Sequence, residues 1–523
     1  MVKNPFKDST VTFVFWALLL TALIPWFYIR LQQSTHSDIL WLCEALQRIL
    51  AGGKMSEVAY EVNPPLSMLA YILPVLAKNI LHVPLHYAVF FQTLTLTILS
   101  TLAVYKIISA WKIFQAETVN ILTFGYLLCI TLLSLISFGE RDHLLTLGLV
   151  PFVLLQASLN FKLPRPGGWS IPVFALGAVL ILLKPHHGLI PTLLLAHRAL
   201  SQRRLSVIFD PDFLSLAVAV LFYLGIVFFV FPDYVSTIFP NVVHFYLPLG
   251  QMDYLVNKLS IVILLSVGLF LLAAYKAMPA PESRMILGLT LCALISLIPY
   301  VVQKIGLYYH ILPSLAFLSM GLALAFFSLV RRSRYITLTA LIGAAYFYPT
   351  FFAIYPTHTH FANTPLAKIV STCPAREHCA FFAFNREMAI MHETAYYTGT
   401  IYASRFPSLW FLPVLLKTQK NMDQGEAGPL TPEQFQSSFK YYAGLLADDL
   451  EHYKPDHLII WDWHWNGFGP EQDFMEYFAQ DNAFAAAIRP YKKTGTLQID
   501  YIDHYKRPGV EHDILDYTIY ERR

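Results

Sequence analysis

The sequence predicts an α-helical polytopic membrane protein that carries a C-terminal soluble α/β domain. Of its 523 residues, 56% are hydrophobic and only 14% are charged, and the mean hydropathy is +0.50. Soluble domains average about 45–50% apolar and 25% charged residues. The apolar excess falls in runs long enough to cross a bilayer, whereas charge is spread throughout the segment after residue 354.

Apolar runs of roughly 17 to 25 residues predict about eleven transmembrane helices surrounded by membrane lipid. The first run has a long apolar core and no small-residue cleavage site behind it, so we expect it to be retained rather than removed as a signal. The sixth is short for a crossing. The predicted spans are 11–29, 86–108, 117–136, 143–160, 169–184, 188–200, 212–231, 257–275, 285–301, 309–328 and 334–353.

The basic residues predict the orientation, because Lys and Arg accumulate in short cytoplasmic loops. Lys3 and Lys7 place the N-terminus inside, and alternation of the spans then puts every clear basic cluster inside as well. The opposite face receives 30–85, the turn 139–143, 232–256 and all residues after 354. A net charge of +3 without a basic tract excludes a nucleic-acid partner.

Two outer loops carry unusual polar residues. The turn "GERDH" puts Glu140, Arg141 and Asp142 between two apolar runs, and ionisable residues at such a depth are costly unless they serve a function. The first loop has Asp38 at the start of an amphipathic stretch, and Asn63 before two prolines that open a short interfacial helix.

The order of these motifs resembles the GT-C superfamily of membrane glycosyltransferases, which includes protein O-mannosyltransferases and aminoarabinose transferase. The shared features are an acid soon after the first span, a Pro-Pro-Leu at a juxtamembrane helix and a second acid in the next outer turn. The resemblance covers roughly residues 1–350 by topology. It implies a GT-C-like fold in a bacterial cytoplasmic (inner) membrane, with the C-terminal domain in the periplasm.

The resemblance also implies a reaction. A sugar, a hexose or pentose, would pass from a polyprenyl-phosphate donor to a glycan, lipid or protein acceptor of the envelope, with inversion at the anomeric carbon. Asp38 matches the family's first-loop acid, the general base, and Asp142 or Glu140 matches the second acid, which would position the acceptor or an ion. Family members often carry Lys before the proline pair to meet the donor phosphate, and here the position is Asn63.

Glycosyl transfer also requires positive charge at the departing phosphate. The predicted outer face offers Arg141, Lys184 and Lys304, with His310 close to the last of these in sequence. Gln303 and Tyr308 belong to the same turn and are further candidates for contact with the substrates. Cations at the membrane surface are well placed to hold a lipid phosphate whose tail stays in the bilayer.

Five of the candidates also have a purely structural interpretation, which remains open. Asp38 would serve as a helix N-cap, and Asp142 would cap a span or pair with Arg141. Lys184 and Lys304 would extend from span ends to water, and His310 would belong to an interfacial aromatic belt.

The histidines predict no metal centre. His186 and His187 are adjacent and lack the i,i+4 spacing of a helical ligand pair. We therefore assign no metal ligand and no obligatory cofactor. A divalent ion, Mg²⁺ or Mn²⁺, between Asp38 and Asp142 remains an alternative.

The residues from 354 to 523 predict a small extracytoplasmic α/β domain behind a transmembrane catalytic domain of residues 1–353. The stretches "CAFFAFN", "DHLIIWD", "LQIDYI" and "DYTIYERR" are typical of strands, and Thr431 to Gln434 form a capping box at the start of a long helix. Cys373 and Cys379 have a spacing that permits a local disulfide in an oxidising compartment.

Two other classes of function share this topology. A transporter or flippase of lipid-linked saccharides usually shows paired halves and ionisable residues at mid-membrane, which the sequence lacks. A polymerase or ligase of lipid-linked saccharides uses the same face and donor, but it favours a large loop late in the chain.

The predicted orientation can be tested by cysteine labelling of intact cells with a reagent that does not cross the membrane. Cysteines placed in 232–256 and 354–523 should react, whereas cysteines beside Arg203 or Arg332 should not, because positive-inside alternation puts those loops in the cytoplasm. Labelling of the basic loops would overturn the topology.

Overall fold

The structure is a computed structural model that describes residues 23–134, 137–247, 254–275, 278–303, 308–330, 358–373, 378–385, 388, 390–461, 473–500 and 514–523. Contacts divide the chain into two compact units. The first consists of Met1–Leu31, Leu69–Val230 and Gly250–Ala353, and the second of Gln32–Met68, Phe231–Leu249 and Ile354–Arg523. The second unit therefore joins the first predicted outer loop to the C-terminal region. The domain assignment 1–353 and 354–523 stays a prediction.

The first unit is helical, because an α-helix satisfies its backbone polar groups within one segment, as a bilayer requires. Among the described residues, six stretches are long and apolar enough to cross a membrane: Leu85–Ala110, Ala116–Leu133, Arg141–Asn160, Pro211–Val230, Ala280–Val302 and Tyr309–Ser328. The chain is therefore a multi-pass membrane protein. The full count of eleven spans stays a prediction.

These six stretches agree within a few residues with the spans predicted at 86–108, 117–136, 143–160, 212–231, 285–301 and 309–328. The run 257–275 is the helix Tyr254–Tyr275. The runs 169–184 and 188–200 form the shorter helices Ser170–Ile181 and Leu189–Ser201. The run 334–353 lies outside the described residues, as does most of 11–29.

Some helical segments of the first unit are short, and some of the crossing stretches are irregular. A π-helical turn ends the stretches that begin at Ala116 and Pro211, and short 3₁₀ segments precede or connect other helices. The bounds are Ile72–Leu81, Ala116–Leu128 followed by the π-turn Cys129–Leu133, Gly167–Trp169, Pro185–Gly188, Leu205–Phe209, Pro211–Gly225 followed by the π-turn Ile226–Val230, Ala280–Gln303, Tyr308–Ile311 and Leu312–Val330.

Two glycines bring the helices Arg141–Asn160 and Ser170–Ile181 into close contact. A Cβ at Gly148 would lie 2.6 Å from the Leu180 Cβ, and a Cβ at Gly177 would lie 3.0 Å from the Gly148 carbonyl oxygen. Small residues let membrane helices approach in this way. The close approach fixes the second helix, and Lys184 lies three residues after its last residue, Ile181.

The second unit contains a five-stranded sheet with the order β2-β1-β3-β5-β4. Strand β1 is parallel to β2 and β3, and β5 is antiparallel to β3 and β4. All four stretches predicted as strands lie in this sheet. The strands are β1 Ala380–Phe384, β2 Ile401–Tyr402, β3 His457–Trp461, β4 Tyr491–Asp500 and β5 Ile514–Arg522.

The second unit also contains helices, of which Met391–Thr398 packs against β2. The predicted capping box is confirmed: Thr431 accepts from the Gln434 backbone and the Gln434 side chain returns the bond, at the start of Pro432–Tyr453. Cys373 and Cys379 are joined by a disulfide. The helical segments are Ser37–Leu50, Met55–Val58, Leu66–Leu69, Tyr234–Ile238, Phe239–Asn241, Val242–Tyr246, His358–Ala362, Pro365–Val370, Met391–Thr398, Leu412–Asp423, Pro432–Tyr453, Phe474–Phe478 and Asn482–Ile488.

Candidate functional site

A buried charged cluster lies at the N-terminal end of the helix Arg141–Asn160 in the first unit. Asp142 has no exposed surface, and its Oδ2 lies 2.6 Å from Lys184 Nζ. His310 Nδ1 lies 2.6 Å from the same Nζ and 3.3 Å from Asp142 Oδ2. Three residues that are distant in sequence therefore form one contact network, and each of them was a candidate from the sequence.

These contacts correct three of the structural alternatives. Lys184 is 9% exposed and paired, so it does not extend to water. Asp142 is paired with Lys184 rather than with Arg141, and the residue in the N-cap position of its helix is Glu140. His310 is buried among charged groups, which is not an environment of an interfacial aromatic belt.

Glu140 and Arg141 directly precede Asp142 in the sequence and are also buried. Glu140 has no exposed surface, and Arg141 is 7% exposed. Two carboxylates and a guanidinium in adjacent positions give this turn a dense set of charges within an apolar unit. Such a concentration of ionisable groups is a candidate for function rather than for stability.

The backbone of this turn is held from three directions. Gly139, with φ +90°, donates its N–H to His143 Nδ1 at 3.1 Å and accepts from the Tyr71 hydroxyl at 2.9 Å. His143 Nε2 contacts the Ile130 carbonyl at 2.7 Å, inside the π-turn Cys129–Leu133. These three contacts fix the turn 139–143. The π-turn that supplies one of them is of a kind that often occurs at functional sites.

His186 and His187 follow Lys184 in a short helical turn. Burial lowers the pKa of His186 to about 4, with the charge of Lys184 adding to the effect. Burial also lowers the pKa of His187 to about 3. Both imidazoles are therefore neutral at pH 7, and the positive charge of this segment resides on Lys184.

Asp38 lies in the second unit, in the first turn of the helix Ser37–Leu50. The N-cap interpretation of Asp38 is wrong, because His36 occupies that position and its Nδ1 accepts from the Asp38 backbone N–H at 3.3 Å. The side chain of Asp38 is half-buried. The carboxylate is thus not committed to capping its own helix.

Asn63 is tied to Glu61, a residue that the sequence did not suggest. Glu61 is 1% exposed and accepts from Trp41 Nε1 at 2.5 Å and from the Asn63 backbone at 2.7 Å. The Asn63 side-chain amide also donates to it. Glu61 therefore joins the helix of Asp38 to the proline turn. Its signal in the sequence is only an acid two residues before Asn63.

Arg48 fastens the other end of the same helix to the sheet. It donates to the carbonyl oxygens of Ser404 at 2.5 Å and Tyr402 at 2.6 Å, and it pairs with Glu44 at 2.5 Å. Charge-assisted bonds of this kind are about twice as strong as neutral ones. The helix that carries Asp38 is consequently a part of the second unit.

The structure gives the backbone positions of two further candidates, Gln303 and Tyr308. Gln303 ends the helix Ala280–Gln303 and Tyr308 begins the turn Tyr308–Ile311, so their backbones flank the segment that leads to His310. Lys304 lies outside the described residues.

No protein-family model and no curated protein sequence matches this chain. Two solved structures of ArnT from Cupriavidus metallidurans are similar to it, one in the apo state and one bound to undecaprenyl phosphate, with 14% and 13% identity. Each similarity covers 86% of this chain and 93% of the other, with a TM-score of 0.39. At so low a TM-score the likeness assigns neither a reaction nor a residue role to this chain.

The buried pair can be tested by a double-mutant cycle. Lys184→Met alone should destabilise the protein by ~3–5 kcal/mol, because it leaves the Asp142 carboxylate buried and unpaired, whereas Lys184→Met with Asp142→Leu should cost much less than the sum of both single changes. Unfolding in detergent micelles measures the coupling.

The exposed pair of Lys54 and Glu57, at 2.9 Å, provides the control. The same cycle there should give a coupling of about 0–1 kcal/mol. Additive effects at Lys184 and Asp142 would show that the two charges do not stabilise each other.

Proposed function

We propose that this chain is a membrane glycosyltransferase that moves a sugar from a polyprenyl-phosphate donor to an envelope acceptor, with inversion at the anomeric carbon. The observation that carries the proposal is the buried cluster of Asp142, Lys184 and His310. A cation held by an acid among apolar helices is suited to a phosphate whose hydrocarbon tail stays in the bilayer.

Lys184 is assigned to the donor phosphate. An ammonium group has three N–H donors, and the contacts to Asp142 and His310 account for two of them within the part of the chain that the structure describes. The third is assigned to a phosphate oxygen, with Arg141 supplying a second positive charge. Charge that is already in position when the phosphate leaves lowers the barrier without reorganisation.

Asp142 is assigned to orient this cation rather than to remove a proton. Its carboxylate contacts both Lys184 and His310, so its charge is already balanced. A carboxylate engaged in both contacts is better placed to hold the cation than to take a proton from the acceptor.

Asp38 is assigned as the general base. Its carboxylate takes the proton of the acceptor hydroxyl while the acceptor oxygen bonds to the anomeric carbon. The bond from that carbon to the phosphate oxygen breaks, and the polyprenyl phosphate departs with the electron pair. Because attack and departure occur on opposite sides of the carbon, the configuration inverts.

The cellular setting is part of the proposal. We place the chain in a bacterial inner membrane, with residues 1–353 as the transmembrane catalytic domain and 354–523 as a periplasmic domain. The basic residues of the predicted inner loops support this orientation. The sugar and the acceptor are left to experiment.

The proposal can be tested with purified full-length protein in proteoliposomes. Donors are undecaprenyl-phosphate mannose and undecaprenyl-phosphate aminoarabinose with a radiolabelled sugar, and acceptors are envelope lipid, glycan and protein fractions. Asp38→Asn keeps the size of the side chain but removes the base, so turnover should fall roughly 10²–10⁴-fold. Binding of undecaprenyl phosphate should be unchanged. Arg141→Ala should instead weaken binding of undecaprenyl phosphate.

Glu57→Gln is the matched control, because Glu57 is an exposed acid in the same loop. It should retain the turnover of the wild type. Normal turnover of Asp38→Asn would disprove the assignment of the base. Movement of labelled donor across the vesicle membrane without transfer would favour a transporter, and formation of long products on the lipid would favour a polymerase.

A further inference from the structure

The first turn of the helix that carries Asp38 is in contact with the C-terminal region of the chain. The helix Met391–Thr398 packs against Ser37–Leu50, and both belong to the second unit. Glu393, in the first turn of its own helix, is 2% exposed. The backbone of Ser37 and the charge of Asp38 both act on its carboxyl group, which also lies against the backbones of Glu393 and Ile390.

The contact lies at the N-terminus of the helix of Asp38. The first backbone N–H groups of a helix have no acceptor one turn back within the helix; here the Asp38 N–H donates to the His36 imidazole at 3.3 Å and the Ile39 N–H to the His36 carbonyl oxygen at 3.0 Å. A carboxyl oxygen near a helix N-terminus can accept from such donors even when the group is protonated. Glu393 provides that group from a segment more than three hundred residues away in the sequence.

The environment of Glu393 is costly for an acid. Burial raises its pKa to about 8, so the group is mostly protonated at pH 7. Its Oε2 has no hydrogen-bond partner among the described residues, and a buried polar atom in that state costs free energy. A hydrophobic residue of similar size would pack there without this cost, so a purely structural role is not favoured.

The backbone that leads to Glu393 is strained as well. Ile390, three residues earlier, has φ +76°, a conformation that is a genuine outlier for a β-branched side chain. Strain of this kind persists only where the surrounding structure imposes it, and it is most common at functional sites. Ile390 is the N-cap residue of the helix Met391–Thr398, which bears Glu393.

We propose that Glu393 is a positioning residue for Asp38: its buried carboxyl group holds the first turn of the Ser37–Leu50 helix and so fixes the direction of the Asp38 side chain. In its neutral form it places no second negative charge beside Asp38. The inference rests on the proposed function of Asp38 and assigns the C-terminal region a part in the reaction.

The test compares three variants of the full chain in the donor-to-acceptor assay at pH 7. Glu393→Ala should lower kcat by about 10- to 100-fold, because small misplacements of catalytic groups have effects of this size, while the KM for the donor stays close to that of the wild type. Glu393→Gln copies the neutral carboxyl group and should restore most of kcat.

Asp481→Ala is the structural control. Asp481 caps the helix Asn482–Ile488 by accepting from the backbones of Ala483 at 2.9 Å and Phe484 at 3.1 Å. Its loss removes a carboxylate from a helix N-terminus in the same unit without touching the helix of Asp38. This variant should lower the unfolding temperature and leave kcat unchanged.

The outcomes separate this inference from the proposed function. If Asp38→Asn is inactive but Glu393→Ala retains normal kcat, the positioning role is disproved and the proposed function stands. If Asp38→Asn itself retains turnover, the proposed function fails. Should Glu393→Ala not fold, Glu393→Asp withdraws the carboxyl group by one methylene, and a normal kcat in that variant would equally disprove the role.

Discussion

The first unit depends on the pairing of one carboxylate that has no contact with solvent. Asp142 is fully buried, and an ionised carboxylate in an apolar interior is stable only when a cation and hydrogen bonds compensate it. Lys184 provides the cation at 2.6 Å and His310 provides a second contact. The ends of three helical segments are therefore held together by charge, and a change at any one of the three residues affects the other two.

The second unit is organised by a different principle, the attachment of a loop to a sheet. Arg48 binds the carbonyl oxygens of Tyr402, in β2, and of Ser404, just after it, and Tyr397 accepts a hydrogen bond from the Thr35 backbone at 2.9 Å. Asp449 holds Arg405 at 2.7 Å, and the Arg405 carbonyl in turn accepts from the backbone of Tyr60. Asp38 therefore lies in a segment whose support comes mostly from the C-terminal region.

Much of the fold could be predicted from local patterns. Apolar runs located the long helices, and the Thr431 capping box and the apolar stretch at 457–461 located a helix and a strand. The same patterns could not predict that Lys184 and His310 both meet Asp142, because that contact depends on how helices pack, and here on the glycines 148 and 177. The residues Glu61, Arg48 and Glu393 also escaped prediction. Each is a common charged residue in an ordinary sequence context, and its importance comes from burial by segments far away in the chain.

The central claim is that the buried cation of the first unit receives the phosphate of a polyprenyl lipid. A structure of the full-length protein bound to undecaprenyl phosphate tests it directly. The account predicts phosphate oxygens about 3 Å from Lys184 Nζ, with the Asp142 carboxylate still in contact with the same ammonium group. A phosphate bound away from Lys184, Arg141 and His310 would contradict it.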